Sequence, residues 1–233
     1  MKLNGSVVLV TGANRGMGRH FAAQALERGA AKVYAAARNP ESVDLPGVEP
    51  LRLDITDPAS AAAAAAAASD VTVLINNAGV ATFANLVTGD PALIRQEFET
   101  NFFGTLNMVR AFAPALGANG GGAILNILSV LSWRSPGLGH AYAAAKAASW
   151  SLTNGVRLEL AAQGTRVTGL HVGGVDTDML AGIEALKADP ADIARAGLDG
   201  IESGALEVLA DKVTADFKPL LSADPSVIYP ELV

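Results

Sequence analysis

Ser6-Val7-Val8-Leu9-Val10-Thr11-Gly12-Ala13-Asn14-Arg15-Gly16-Met17-Gly18 is the stretch whose reading decides the fold. Its first six residues are rich in β-branched side chains and predict a buried strand ending at Gly12. From Arg15 to Arg28 apolar residues recur at helical spacing, and Gly29 stands where that helix would stop. Between strand and helix, Gly12, Gly16 and Gly18 form a G-x-x-x-G-x-G spacing that also encloses Asn14, Arg15 and Met17. A tight strand-to-helix turn needs backbone freedom, and a pyrophosphate approaches a backbone only where no Cβ intrudes. The helix N-terminus then offers unpaired N–H groups and a positive dipole end to the phosphates. Glycines also close strands without any functional meaning. Their place after a strand and before a helix is what favours a phosphate-binding loop.

The same alternation continues outward. Strand patterns fall at 32–37, 48–53, 71–75, 123–128 and 166–172, and helical patterns from Pro58 through the alanine run, from Pro91 to about Leu116, and over 140–162. Most of the strands are continuous apolar runs, as expected for a parallel sheet covered on both faces. The expected fold is therefore α/β: a doubly wound, mostly parallel Rossmann-type sheet with helices on both faces. No repeat or linker interrupts the chain, so 1–233 reads as a single dinucleotide-binding domain, with the catalytic residues in that same domain and a substrate loop around 174–203. Residues 204–233 read as a helix followed by Ala223-Asp224-Pro225 and Ile228-Tyr229-Pro230, which leaves a seventh strand doubtful.

Composition narrows the function classes. Half of the 233 residues are hydrophobic and 17% are charged, which excludes a disordered chain and allows one large core. The net charge of −6 argues against a nucleic-acid binder, because phosphate neutralisation needs a basic face. The absence of Cys excludes disulfides, thiolate metal sites and a cysteine nucleophile. His20, His140 and His171 lack metal-ligand spacing, so no metal is expected. A strand pattern starting at Ser6 leaves no room for a cleavable signal, and the alanine run at 59–69 is too short to span a membrane. The chain is expected to be cytoplasmic, with no membrane partner.

Three motifs in order, TGANRGMG at 11–18, Asn76-Asn77-Ala78-Gly79 and Tyr142-x-x-x-Lys146, resemble the short-chain dehydrogenase/reductase family over residues 6 to about 179. The resemblance implies an NADP(H)-preferring carbonyl reductase or alcohol dehydrogenase. It places Asn77, Ala78 and Gly79 along the adenosine ribose, Asp54 and Ile55 beside the adenine, and Val175 and Thr177 against the nicotinamide carboxamide. Asp54 reads equally well as a strand-end turn residue. The resemblance also implies a homo-oligomer, dimer or tetramer, joined through the two long helices. Two departures stand out: relatives usually carry Pro-Gly where this chain has Val172-Gly173, and many close on a Val-Asp-Gly-Gly-like seventh strand absent here.

An NAD site usually ends its second strand with an acid that binds both ribose hydroxyls. Here Val33-Tyr34-Ala35-Ala36-Ala37-Arg38 ends without one, and Arg38 offers a planar cation suited to a 2′-phosphate. Similar family members imply that Arg15 faces the same phosphate, although either arginine alone reads as a solvated surface charge. The expected cofactor is NADP(H).

Tyr142 and Lys146 stand four apart in a helical stretch and so share a face. A free tyrosine titrates at about 10, and the Lys146 ammonium would favour its phenolate. As the resemblance implies, Ser129, thirteen positions before Tyr142, binds the substrate oxygen, and Asn101 holds a water linking Lys146 to solvent. Tyr142 and Lys146 also contact the cofactor in this picture. Val130, Leu131, Trp133, Leu138, Met179, Leu180 and Ile183 are expected to line an apolar substrate pocket, pointing to reversible reduction of a hydrophobic ketone or aldehyde. A non-catalytic NADP(H) redox sensor and a lyase or epimerase are the rivals.

Overall fold

The chain was analysed as a computed structural model that describes residues 1–135, 137 and 139–230. The opening run forms β1 (Val7–Thr11). Val8 and Val10 bury on one face of the sheet and Leu9 on the other, so a continuous apolar run is satisfied on both sides. β2 (Lys32–Ala37), β4 (Val73–Asn76) and β5 (Ala123–Ile127) repeat this division, while β3 (Glu49–Arg52) lies at an edge. With β6 (Arg166–His171) and β9 (Glu207–Leu209), they form a seven-stranded sheet in the order β3-β2-β1-β4-β5-β6-β9, with every pairing parallel. This is the expected doubly wound Rossmann-type architecture. The order reverses between β1 and β4, and in such sheets the crevice at the carboxyl ends of the strands there is where ligands bind.

α1 (Gly16–Glu27) and α6 (Pro190–Ser203) cover one face, burying Phe21, Ile193 and Leu198. α2 (Pro58–Ala67), α4 (Thr105–Ala118) and α5 (His140–Glu159) cover the other, burying Met108, Phe112, Leu116 and Val156. α2 begins as its sequence predicts: Pro58 takes the first turn and the Asp57 carboxylate accepts from the Ala59 N–H. Ala61 and Ala64 let α2 lie close to the sheet.

Two expectations need correction. The helix expected over 91–116 is three pieces: α3 (Pro91–Phe98), a π-helical stretch Glu99–Gly104, and α4. Wide turns of this kind recur at functional sites, and this one contains Asn101. The doubtful seventh strand exists as β9, and the helix expected from residue 204 starts only at Lys212. α6 ends at Gly204, whose φ of 72° closes the helix, and Glu207–Leu209 adds to the β6 edge. β9 is three residues long with no apolar alternation of its own, so its hydrogen-bonding partner decides its conformation. Short helices α7 (Lys212–Phe217) and α8 (Pro225–Ile228) follow. A small parallel pair, β7 (Gly174–Val175) with β8 (Lys187–Ala188), pins both ends of the 176–186 loop. No helix among the described residues is long and apolar enough to cross a membrane.

Candidate active site

The switch point is tied together by backbone and side-chain hydrogen bonds. The Thr11 hydroxyl accepts from the N–H groups of Asn77 (3.0 Å) and Ala78 (2.9 Å), and the Asn77 amide donates to the Thr11 carbonyl at 2.9 Å. Gly12 turns the chain with φ 65°. Gly18, on the first turn of α1, packs on the Gly12 carbonyl so closely that a Cβ would stand 2.1 Å from that oxygen. The helix N-terminus is thereby drawn up to the crevice.

Above it opens a cleft of about 910 Å³, large enough for a dinucleotide. Gly12, Asn14, Arg15, Gly16 and Met17 line one side, Ala37 and Arg38 the end of β2, and Asp54 and Ile55 the end of β3. Asn77, Ala78 and Gly79 line the centre, and Thr177 the far end. Gly18 supports the loop from below. Asn39, Ser42, Thr56, Arg95, Gln96 and Thr100 also line it, and none of these was expected from sequence. Asn39 and Ser42 follow Arg38 directly, so loop position after β2 was the signal available for them.

Asp54 takes part in a local turn: its carboxylate accepts from the Thr56 N–H and hydroxyl, at 3.0 and 2.7 Å. Those hydrogen bonds, aided by the Arg38 charge, hold the carboxyl below its ordinary range against the effect of burial. The Arg15 guanidinium pairs with Asp178 at 2.9 Å across the cleft mouth instead of facing Arg38. Both partners are well exposed, and such pairs contribute about 0–1 kcal/mol, so the contact is easily exchanged for another anion.

At the far end of the cleft a smaller cavity of about 210 Å³ opens. Tyr142, Ser129 and Thr177 contribute its hydroxyls; Met17, Phe83, Val130, Leu131, Val172, Val175, Met179 and Leu180 make up most of the apolar wall. No charged side chain among the described residues lines it. Ser129 ends β5 as the cap of a 3-10 turn, and its hydroxyl oxygen accepts from the Leu131 N–H at 3.1 Å. That leaves the hydroxyl proton free to donate into the cavity. Tyr142 and Lys146 project from α5, with Nζ 5.6 Å from the phenol ring centre. Lys146 is buried and donates to the Ile127 carbonyl at 2.8 Å.

Burial sets the titration of both. It raises the Tyr142 phenol well above its ordinary range, with the Glu97 charge adding to the rise and the neighbouring Ser129 hydroxyl opposing it. It pushes Lys146 down to about 8, and Glu97 works against that fall. Near neutral pH the phenol is therefore protonated and the amine mostly charged. Asn101 lies behind Lys146, and Gly79 completes the approach. A Cβ on Gly79 would stand 2.8 Å from Asn101 Oδ1 and 4.0 Å from Lys146 Nζ.

Several pocket expectations are corrected. Trp133 turns away from the cavity, stacking on His171 at 4.0 Å between ring centres, under the Lys218 ammonium. The 3-10 turn at Val130–Ser132 directs Val130 and Leu131 into the cavity and carries Trp133 past it. Ile183 does not line the cavity, and Leu138 lies outside the described residues. Phe83, which sequence did not suggest, does line it, with a backbone φ of 56°. The missing proline before Gly173 is compensated by two anchors: the Val172 carbonyl accepts from the Val130 N–H at 2.8 Å, and the Gly173 N–H donates to Asp211.

A doubly wound sheet with a glycine loop at its switch point, opening onto a Ser/Tyr/Lys cluster, defines a nucleotide-dependent oxidoreductase. The family model described as short chain dehydrogenase matches residues 6–187, and the chain belongs to that family. A crystal structure of a short chain dehydrogenase from Burkholderia cenocepacia in complex with NADP matches with a TM-score of 0.95 at 40% identity. That match covers 100% of this chain and 99% of the other. A sorbitol dehydrogenase of Cereibacter sphaeroides is 35% identical over 205 residues, 84% of this chain and 80% of its own length. An NADPH-dependent 1-acyldihydroxyacetone phosphate reductase of Schizosaccharomyces pombe is 34% identical over 179 residues, 73% of this chain and 60% of that protein.

Proposed function

We propose that the chain is an NADPH-dependent oxidoreductase that reduces an apolar ketone or aldehyde to an alcohol, reversibly, with Tyr142 as general acid. The observation that carries this reading is the meeting of Tyr142 and Ser129 at a small apolar cavity that shares Met17, Thr177 and Met179 with the glycine-loop cleft, with the buried Lys146 ammonium 5.6 Å from the phenol ring centre. The cleft fits NADP(H): Gly12 and Gly16 line it without a Cβ, Ala37 ends β2 where an acid would repel a 2′-phosphate, and Arg38 beside it offers a cation. Arg15 would exchange Asp178 for that phosphate. When bound, NADPH supplies the hydride. The Ser129 hydroxyl donates to the carbonyl oxygen and orients it, Tyr142 transfers its proton to the same oxygen as it becomes an alkoxide, and the Lys146 ammonium stabilises the phenolate left behind. Asn101 would hold the water through which the proton returns from solvent to Lys146.

A polyol such as the one named for the Cereibacter relative would leave most of its hydroxyls unpaired in this cavity, at about 1–3 kcal/mol for each. Small apolar ketones are therefore expected to turn over faster than sugar alcohols are oxidised. The direct test follows NADPH and NADH consumption by the purified protein against apolar ketones and aldehydes, with sorbitol oxidation by NADP⁺ in parallel. Preference for sorbitol overturns the substrate reading; tight NADPH binding with no turnover across the panel favours the sensor.

Replacing Arg38 by Ala is expected to weaken NADPH about 10-fold or more, from loss of a charge-assisted contact, and to leave NADH nearly unchanged. Titrations with both cofactors check this, and equal losses would remove Arg38 from the 2′-phosphate site.

A further inference from the structure

Glu97, on the last turn of α3, is a carboxylate with no exposure to solvent, and nothing in the mechanism above uses it. One oxygen accepts from the Thr82 N–H and from the Thr82 hydroxyl at 2.8 Å; the other accepts from the Asn101 side-chain amide at 2.9 Å. A carboxylate can only accept, so it acts with the Val80 carbonyl, which accepts from the same NH2 group at 3.0 Å, to set the polarity of Asn101: the NH2 faces Glu97. The Asn101 carbonyl oxygen is then turned toward the Val80 N–H (3.3 Å) and toward Gly79, beside Lys146. The same negative charge is felt by both Tyr142 and Lys146.

We propose that Glu97 is the positioning residue of this site, holding the Asn101 carbonyl toward Lys146 and supplying the buried counter-charge for the Tyr142–Lys146 pair. The proposal rests on the reading of Tyr142 and Lys146 as the acid–base pair. Around that pair, α5 supplies Tyr142 and Lys146 themselves, the β5 end supplies the Ile127 carbonyl and the Ser129 hydroxyl, and α3 supplies Glu97. The Glu97 charge reaches both members of the pair.

Glu97→Gln tests both parts. The Thr82 N–H is a fixed donor, so the new amide must turn its oxygen there and its NH2 toward Asn101. Asn101 must then either flip, losing its bonds to the Val80 N–H and carbonyl and aiming its own NH2 at Lys146, or stay on Val80 in a donor–donor clash with the new amide. Loss of the negative charge also lowers the titration of every neighbouring group, because a nearby anion favours the protonated form of each. With cyclohexanone and NADPH, and cyclohexanol and NADP⁺ in reverse, kcat is expected to fall about 10-fold to 100-fold, as when an outer partner of a functional side chain is removed. The midpoint of the pH profile for oxidation is expected to move down by about one pH unit. Ultraviolet difference titration of the Tyr142 phenol, referenced to Tyr142→Phe, reads the same downward shift without turnover. NADPH binding reports folding and should persist.

A fall in kcat with no movement of either midpoint overturns the proposal, since a merely structural role would do that. So does wild-type behaviour throughout. If Glu97→Gln does not fold, Glu97→Asp carries the test. It keeps the charge but cannot span Thr82 and Asn101 together, so kcat should fall while both midpoints and the KM for cyclohexanone stay at wild-type values; a raised KM or a moved midpoint is what general disruption of the site would give and overturns the proposal. Wild-type kcat in that variant overturns the positioning role. Activity surviving in Tyr142→Phe is a separate outcome: it removes the acid–base reading itself, whatever Glu97 does.

Discussion

Tyr142→Phe is expected to bind NADPH as the wild type does and to lose turnover by about 10²–10⁴-fold, the range contributed by a positioned general acid. The substitution removes one oxygen and keeps the ring, so the apolar wall of the cavity and the contact between the ring and the Lys146 ammonium remain. Ser129 would still orient the carbonyl oxygen, but the nearest protonated group would then be the Lys146 ammonium, held by the Ile127 carbonyl. Because burial raises the Tyr142 phenol, it stays protonated through neutral pH and is ready for reduction. Oxidation needs the phenolate and should rise with pH. Stopped-flow traces with a small apolar ketone, beside a cofactor titration, check both halves. Retained turnover would take Tyr142 out of its role, and lost NADPH binding would mean the variant reports on structure instead of chemistry.

Gly18→Ala is expected to damage both stability and cofactor binding. Its φ is ordinary, so the constraint is space and not conformation. A Cβ would stand 2.1 Å from the Gly12 carbonyl oxygen and 2.6 Å from Asn77 Nδ2, and neither can yield cheaply. The first belongs to the turn itself, and the second is bonded to the Thr11 carbonyl at 2.9 Å. Relief requires α1 to back away from the switch point, carrying its N-terminus from the place where a pyrophosphate would sit. Overpacking of this kind costs about 1–3 kcal/mol, and each kcal/mol lowers Tm by roughly 2–4 °C in a chain of this size. Gly155→Ala is the control, because nothing lies within 4 Å of that position; Ala there should be neutral or slightly stabilising. An unchanged Tm and NADPH affinity in Gly18→Ala would refute the close-approach account.

The parts legible in the sequence are those with a local physical signature. Runs such as Val7-Val8-Leu9-Val10 announce strands buried on both faces, and Pro58 and Gly29 mark helix ends, because backbone propensity is settled within a few residues. The glycine spacing at 12–18 and the i, i+4 pair Tyr142–Lys146 are also local, so the cleft and the face of α5 that meets it could be placed from the sequence. The rest depended on what those elements met in space. β9 is a strand because the β6 edge hydrogen-bonds it. Trp133 leaves the cavity because His171 and Phe217 offer it stacking partners drawn from distant segments. The π-helical turn that carries Asn101 lies within a smooth helical pattern. Nothing local in the sequence singles out Glu97, and only the packing of the Thr82 loop and α5 against α3 buries it near Lys146. Sequence by itself determined six strands of the sheet, the glycine turn at 12–18 and the shared face of Tyr142 and Lys146, because propensity and spacing are short-range. Tertiary structure alone decided which polar groups are buried together, because desolvation and hydrogen-bond pairing exist only once distant segments have met.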